Sequence, residues 1–249
     1  DVVDPDDLDT AAWTVQGGGA GAYGAMTVDT DGVWEYTLNN GLSAVQELAV
    51  GATLTEAFTI EVEDAEGATT TQSVTITITG TNDAPEVSNF VAGEGTEGTG
   101  TFPVDLLEFA SDVDTGETAT LSVINLTLLV GDASGITQTG NTLNVNTDDG
   151  AYDGLAAGES EVIVYSYDII DAQGATVSQT AQITIIGTND APSISASIAT
   201  SASEDNGAFT VDLLQDITDP DSVTLTVTSL TPEPGTGDTG GITLSGNTL

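Results

Sequence analysis

The side chains that could do chemistry in this chain are almost all carboxylates. Among 249 residues there are 40 Asp and Glu and no Lys, Arg, His or Cys, for a formal charge of −40 at pH 7. The usual general base, the amine and thiolate nucleophiles and the phosphate clamp are therefore all missing. Grouped carboxylates leave two chemistries open: hydrolysis by a pair placed in a cleft, and coordination of a hard cation by several oxygens. Spacing favours the second. The acids return as short motifs, Asn82-Asp83 and Asn189-Asp190, Asp112-Val113-Asp114 and Asp219-Pro220-Asp221, with Glu97 and Asp171 standing singly. Acids that return at a fixed interval suit a structural ion better than a unique active site, and nothing marks a catalytic pair.

The same composition excludes whole classes of partner. Without a cationic side chain there is no counterion release from phosphates, so nucleic acid is not a partner, and anionic membranes are excluded on the same ground. Zinc and iron–sulfur sites lack their thiolates, disulfides cannot form, and no Lys is present to make a Lys–Asn crosslink. No apolar run of about 18 residues and no basic-then-apolar leader is seen, so neither membrane insertion nor a signal peptide is expected, and the sequence reads as an internal piece of a longer protein. Net charge alone would suggest disorder, but hydrophobic residues make up 39% and Gly numbers 29, close to a globular composition.

The chain repeats itself at an interval of 107 residues. Gly80-Thr81-Asn82-Asp83-Ala84-Pro85 returns as Gly187-Thr188-Asn189-Asp190-Ala191-Pro192, and Asp64-Ala65-Glu66-Gly67 as Asp171-Ala172-Gln173-Gly174. Leu48-Ala49-Val50-Gly51 returns as Leu155-Ala156-Ala157-Gly158, and Val104-Asp105-Leu106-Leu107 as Val211-Asp212-Leu213-Leu214. Fixed-period self-similarity is the signature of an array. The units run 1–82, 83–189 and 190–249, the first lacking its opening and the last stopping early.

Within a unit the periodicity is two, as in Thr55 to Val62, Val74 to Ile78, Val162 to Ile170 and Ala181 to Ile186. Half-buried strands in units of this size predict an all-β protein: tandem antiparallel β-sandwiches of the immunoglobulin or cadherin kind. For residues 83–189 the strands fall near 86–92, 100–110, 118–129, two within 135–146, 161–170 and 175–187. One short helical turn is expected near Asp153 to Ala157. Successive strands reverse, so loops alternate between poles. The loops with Glu97 and with Asp148, Asp149 and Asp153 lie beside the outgoing Asn189-Asp190; those with Asp112, Asp114 and Asp171 lie beside Asn82-Asp83.

Carboxylates drawn to one junction raise one another's pKa unless a cation joins them, and this density of hard oxygens suits Ca²⁺, with Mg²⁺ the alternative that prefers to keep its waters. For the first junction the expected ligands are Asn82, Asp83, Asp112 and Asp114, with Asp171 and Glu47 as further candidates. For the second they are Glu97, Asn189, Asp190, Asp219 and Asp221, with one of Asp148, Asp149 and Asp153. Glu204 would serve the following junction, Asp4 and Asp6 the preceding one. Asp171 and Asp64 sit in Asp-Ala-x-Gly turns, where ligand and plain turn both remain open readings. Asp29-Thr30-Asp31-Gly32 reads as a hairpin turn rather than an EF-hand, Gly17-Gly18-Gly19-Ala20-Gly21 as a flexible loop, and Trp13, Trp34, Tyr36, Phe58 and Tyr165 as core or rim residues.

Two families share these motifs. Unit 1, with Gly21-Ala22-Tyr23-Gly24, Asp31-Gly32-Val33-Trp34-Glu35-Tyr36-Thr37-Leu38 and the run from Thr75 to Pro85, resembles a VCBS repeat. Units 2 and 3, with Glu97, Ala110-Ser111-Asp112-Val113-Asp114 and the Asn-Asp-Ala-Pro linkers, resemble bacterial cadherin-like modules. The resemblance implies a non-enzymatic extender of a large RTX-type repeat adhesin. Such a protein is exported by a type I system to the surface of a Gram-negative bacterium, where calcium holds neighbouring modules in an end-to-end rod that supports adhesion or biofilm formation. Implied partners are the neighbouring repeats, surface glycans or other adhesin molecules. The alternative reading is a calcium-dependent glycan- or protein-binding module.

Overall fold

The computed structural model describes residues 11–201, 203–205, 207–222, 224–231 and 242–246. It divides into two compact units: residues 1–89, 107–125 and 167–179 in the first, and 90–106, 126–166 and 180–249 in the second.

In the first unit, β1 (Ala12–Val15), β4 (Thr53–Glu63) and β5 (Thr69–Thr79) form an antiparallel sheet in the order β1-β4-β5, while β2 (Gly24–Val28) and β3 (Trp34–Leu38) form a hairpin. Asp29 closes that hairpin, its Oδ1 accepting from Asp31 N at 2.9 Å and Val33 N at 2.8 Å, as a turn rather than a metal loop would. Alternation in β4 sends Phe58, Ile60 and Val62 inward. Phe58 and Ile60 meet Met26 in a core flanked by Trp13, Val15, Tyr36, Val74 and Ile76. Trp34 stays 44% exposed. Gln16–Gly19, expected as a loose loop, form a 3-10 turn in which Gly17, Gly18 and Gly19 all take positive φ. The short β6 (Glu86–Val87) pairs with β9 (Ala110–Ser111) in the same unit.

In the second unit, β8 (Thr101–Asp105), β11 (Ile136–Thr139) and β12 (Thr142–Asn146) form an antiparallel sheet in the order β11-β12-β8. The long strands β10 (Ser122–Val130), β13 (Ser160–Ile170) and β14 (Thr176–Ile186) contribute residues to both units and are joined by β7 (Val91–Thr96) in the order β10-β13-β14-β7. Every strand expected between residues 86 and 187 is present, the first two each broken into a pair of short strands. One feature departs from an all-antiparallel pattern: β7 runs parallel to β14, from Val91 opposite Ala181 to Thr96 opposite Ile186. Val91, Ala181, Ile183 and Ile185 are fully buried there. The last pairing described is β15 (Ser193–Ile194) with β16 (Ile217–Thr218).

The helical turn expected near Asp153 is a non-helical turn instead. Its counterpart 107 residues earlier is the single-turn helix α1 (Ser43–Gln46). The sequences explain the difference, since Ser43-Ala44-Val45-Gln46 is replaced by Gly150-Ala151-Tyr152-Asp153 with Gly154 following, and glycine disfavours helix. Both versions anchor the loop by one buried apolar side chain, Val45 at 8% exposure and Tyr152 at 1%.

The same loop explains the glycine that opens each linker. A Cβ on Gly80 would stand 2.0 Å from Leu48 O, and one on Gly187 would stand 2.2 Å from Leu155 O. The amides of Gly80 and Gly187 donate to Ala52 O at 2.9 Å and Glu159 O at 3.0 Å. Backbone lies directly on backbone, so the loop and the linker acids keep a fixed spacing. Gly187→Ala should destabilise the fold by about 1–3 kcal/mol through overpacking, seen as a lower urea midpoint at unchanged slope. Gly207→Ala, whose Cβ would meet nothing within 4 Å, should leave the midpoint in place.

Candidate metal centre

Two carboxylate clusters form, each inside a single compact unit. In the first unit, Asp112, Glu117 and Asp171 bring one oxygen each within 4.8 Å of one another. Asp112 and Glu117 come from the turn after β9, and Asp171 from the turn between β13 and β14. The incoming linker is tied to them, with Asp83 N donating to Asp114 Oδ2 at 2.9 Å and Asn82 Nδ2 to Asp171 Oδ2 at 2.8 Å. In the second unit, Glu97 from the turn after β7, Asp153 from the turn after β12 and Asp190 from the outgoing linker approach within the same 4.8 Å. Glu97 Oε2 accepts from Thr188 N at 2.8 Å, and Asp190 N donates to Asp221 Oδ2 at 3.0 Å.

The linker geometry repeats along with the sequence. Asp114 N donates to Asp112 Oδ1 at 2.9 Å, and Asp221 N to Asp219 Oδ1 at 3.2 Å. Asn82 Nδ2 and Asn189 Nδ2 each donate to the carbonyl of the following Asp at 2.7 Å. The two clusters themselves are different halves of one design. The first uses turns of the module that follows its linker; the second uses turns of the module that precedes its linker.

Burial leaves these oxygens short of donors. Glu97, Asp114, Glu117 and Asp171 are buried, at 6%, 2%, 7% and 5% exposure. Among the described residues, the buried side-chain atoms with no hydrogen-bond partner are Asn82 Oδ1, Asp112 Oδ2, Asp114 Oδ1, Glu117 Oε2 and Glu97 Oε1. All five are oxygens at the two clusters. A buried acceptor left unpaired costs about 1–3 kcal/mol, and more when it is charged, so five together call for an electrophile. An oxygen-only donor set fits a hard divalent cation. Zinc and copper would ask for nitrogen or sulfur.

The electrostatics agree. Burial pushes the Asp112 carboxyl up, and repulsion from Asp114, Asp171 and Asp83 adds to it against one backbone hydrogen bond from Asp114. Glu117 is raised by burial and by Asp114, Asp112 and Asp171, with Gln173 opposing. For Asp171, burial is outweighed by hydrogen bonds from Asn82 and the amides of Ala175, Gly174 and Gln173, so its carboxyl sits low. Asp219 and Asp221 share a hydrogen bond that raises the first and lowers the second.

Each expected ligand can now be placed. Asp112 and Asp171 meet in the first cluster; Asn82, Asp83 and Asp114 are hydrogen-bonded to it or to one another. Glu97 and Asp190 meet in the second, and of Asp148, Asp149 and Asp153 it is Asp153 that joins them. Asp221 reaches that linker by accepting from the Asp190 amide, Asp219 accepts in turn from the Asp221 amide, and the exposed Asn189 turns its Nδ2 to the Asp190 carbonyl. Asp171 is both turn and cluster member, its Oδ1 taking three backbone amides at 2.6–2.9 Å. Glu47 contributes through its backbone: its carbonyl accepts from Thr115 N at 3.1 Å and Thr115 Oγ1 at 2.8 Å. Glu204 is exposed, and Asp4 and Asp6 lie outside the described residues.

Glu117 and its donor Gln173 went unforeseen. Recurrence could not flag Glu117, because Ser222-Val223-Thr224 follows Asp221 in the third unit where Thr115-Gly116-Glu117 follows Asp114. The available signal was its distance of five residues from Asp112 in one polar turn.

Residues 1–80 match the family model of the bacterial cadherin-like domain. The match falls on the unit whose hairpin motifs resemble a VCBS repeat. No curated protein matches the chain. Among solved structures, Protocadherin Gamma C5 EC1-3 is 17% identical, with 84% of this chain and 67% of that chain covered and a TM-score of 0.46. Human Mucin-like Protocadherin EC1-2 is 13% identical over 72% of this chain and 85% of that one, with a TM-score of 0.44. Protocadherin Gamma B7 extracellular cadherin domains 1-4 is 16% identical at a TM-score of 0.42, over 85% of this chain, which spans 50% of that structure.

The raised carboxyls make a pH prediction for chelator-treated protein. Asp112 and Glu117 hold protons more tightly folded than unfolded, so the folded state binds the extra protons above their ordinary values of 3.8 and 4.5. Stability should fall as pH rises through that window. Asp171 acts oppositely, but only as pH drops below its ordinary 3.8. The melting temperature should therefore rise as pH is lowered toward those ordinary values. The double variant Asp112→Asn/Glu117→Gln should show a smaller rise, which separates the cluster from the general relief of the −40 charge. An equal slope in both proteins would contradict the cluster's part in it.

Proposed function

We propose that this chain is a non-enzymatic spacer from a secreted bacterial surface adhesin, stiffened by calcium at the junctions between its modules. The observation that carries the reading is the confinement of all five unpartnered buried oxygens to two carboxylate clusters beside repeated linkers. The match of residues 1–80 to the bacterial cadherin-like domain supports an extracellular module of the adhesion type. On this reading, Asn82, Asp83, Asp112, Asp114, Glu117 and Asp171 hold calcium as the following module's half of a junction. Glu97, Asp153, Asn189 and Asp190 hold it as the preceding module's half, with Asp219 and Asp221 completing the second linker. Because the units recur, a full junction inside a longer array carries both halves.

Calcium supplies positive charge that the chain itself lacks. The protein's part is to hold carboxylates from separate turns together, through backbone amides and the glycine contact with the preceding loop. Without the ion those turns repel, and the linkers become hinges. His, Lys, Arg and Cys are absent, and among the grouped carboxylates Glu97, Asp112, Asp171 and Asp190 recur at the repeat interval, as a structural ion site would. Export to the surface of a Gram-negative cell by a type I system, contact with neighbouring repeats or surface glycans, and a part in biofilms extend the same proposal.

Two measurements bear on it. Small-angle scattering should give a shorter maximum dimension in chelator than in millimolar calcium; an unchanged value would overturn the stiffening. Calcium at 100 times Kd should stabilise the fold by about 2.7 kcal/mol for one site, and the gain should drop sharply in Asp112→Asn/Asp114→Asn.

A further inference from the structure

Gln173 lies in the turn between β13 and β14 with most of its surface exposed, yet its Nε2 donates to Glu117 Oε1 at 2.7 Å. The two residues belong to different turns, 56 positions apart, and Glu117 is buried to 7% exposure. The bond therefore joins the tip of one turn to a buried carboxylate in another.

Three carboxylates at this cluster show the same economy, while Asp171 has both oxygens taken by donors. Asp112 spends Oδ1 on the Asp114 amide, and Asp114 spends Oδ2 on the Asp83 amide. Glu117 spends Oε1 on Gln173. What remains is one unpartnered oxygen on each: Asp112 Oδ2, Asp114 Oδ1 and Glu117 Oε2, joined by Asn82 Oδ1. For Asp112 and Asp114 the donor that fixes the carboxylate is a backbone amide. For Glu117, the longest of the three and the one with most rotamer freedom, it is a side chain.

The geometry points to Gln173 as a positioning residue for the metal centre, aiming Glu117 so that Oε2 alone faces the ion and locking the two turns together before the ion arrives. This rests on the calcium reading above. A donor that orients a ligating carboxylate raises metal affinity because the ligand need not be ordered on binding, and losing such a partner typically costs about 10–100-fold. The device is particular to the second module among the described residues. At the matching position of the first module stands Glu66, whose carboxylate carries no N–H to donate.

The test uses isothermal titration with calcium on the whole chain carrying Glu97→Gln/Asp153→Asn/Asp190→Asn, so that the cluster of Asp112, Glu117 and Asp171 reports alone. Adding Gln173→Met keeps side-chain length and the Gln173 backbone amide while removing the donor. Calcium affinity should fall about tenfold or more; the melting temperature in chelator should drop as well, because Glu117 Oε1 is left buried without its donor. With Glu117→Gln already present, Gln173→Met should cost nothing further, since its effect runs through Glu117. Equal affinity with and without Gln173→Met overturns the positioning role and leaves the calcium reading standing. A loss that persists in the Glu117→Gln background overturns it in favour of a general effect on the turn. Failure of the parent variant and the unsubstituted chain alike to bind calcium overturns both.

Discussion

A buried carboxylate oxygen needs a donor or a cation, and this chain has no cation to give. That constraint organises the rest. In most proteins an Arg or Lys would neutralise acids gathered at a junction. Here there is none among 249 residues, so five buried acceptors stand without partners. The fold places positions for positive charge and leaves the charge to be supplied from outside. On the proposed calcium reading, stability and stiffness then answer to an ion concentration rather than to the sequence alone.

The scaffold serves that arrangement at each level. Period-two strands bury Ile and Tyr on β13 and Ile and Ala on β14, and their connecting turn presents Asp171 with three amides on one oxygen. The parallel pairing of β7 with β14 carries the chain so that Glu97 N reaches Ile186 O, beside the outgoing linker. Gly80 and Gly187 let the preceding loop lie against the linker backbone, which fixes where Asp83 and Asp190 emerge. Thr115 then ties the Asp112 turn back to the Glu47 carbonyl at 2.8 Å. Remote acids meet because backbone contacts leave the turns few other places to go.

Much of this was legible in the sequence because the chain presents parts of the same design three times. Recurrence at 107 residues separated the Asp-x-Asp and Asn-Asp motifs from ordinary acidic turns, and alternation of strand direction put Glu97 with Asp190 and Asp112 with Asp171 before any coordinate was known. The same reasoning could not choose among Asp148, Asp149 and Asp153, because that depends on the path of the turn around the buried Tyr152, which leaves the exposed Asp153 beside Glu97 and Asp190. Glu117 escaped because it does not recur, and Gln173 because a donor acts through geometry that a motif does not record. The parallel β7 strand was hidden by a break in the first strand, where chain direction and partner are set by packing rather than by periodicity. For Asp171 the structure shows the turn, one oxygen taking backbone amides while the other accepts from Asn82 Nδ2.

The central claim is that calcium occupies the two clusters, and a crystal grown in calcium and measured for anomalous scattering tests it most directly. The account predicts one anomalous peak enclosed by Asp112, Glu117 and Asp171 with Asn82 and Asp114 around it, and another among Glu97, Asp153 and Asp190. Well-ordered clusters without an anomalous peak, their carboxylates bridged by water or by shared protons, would contradict it.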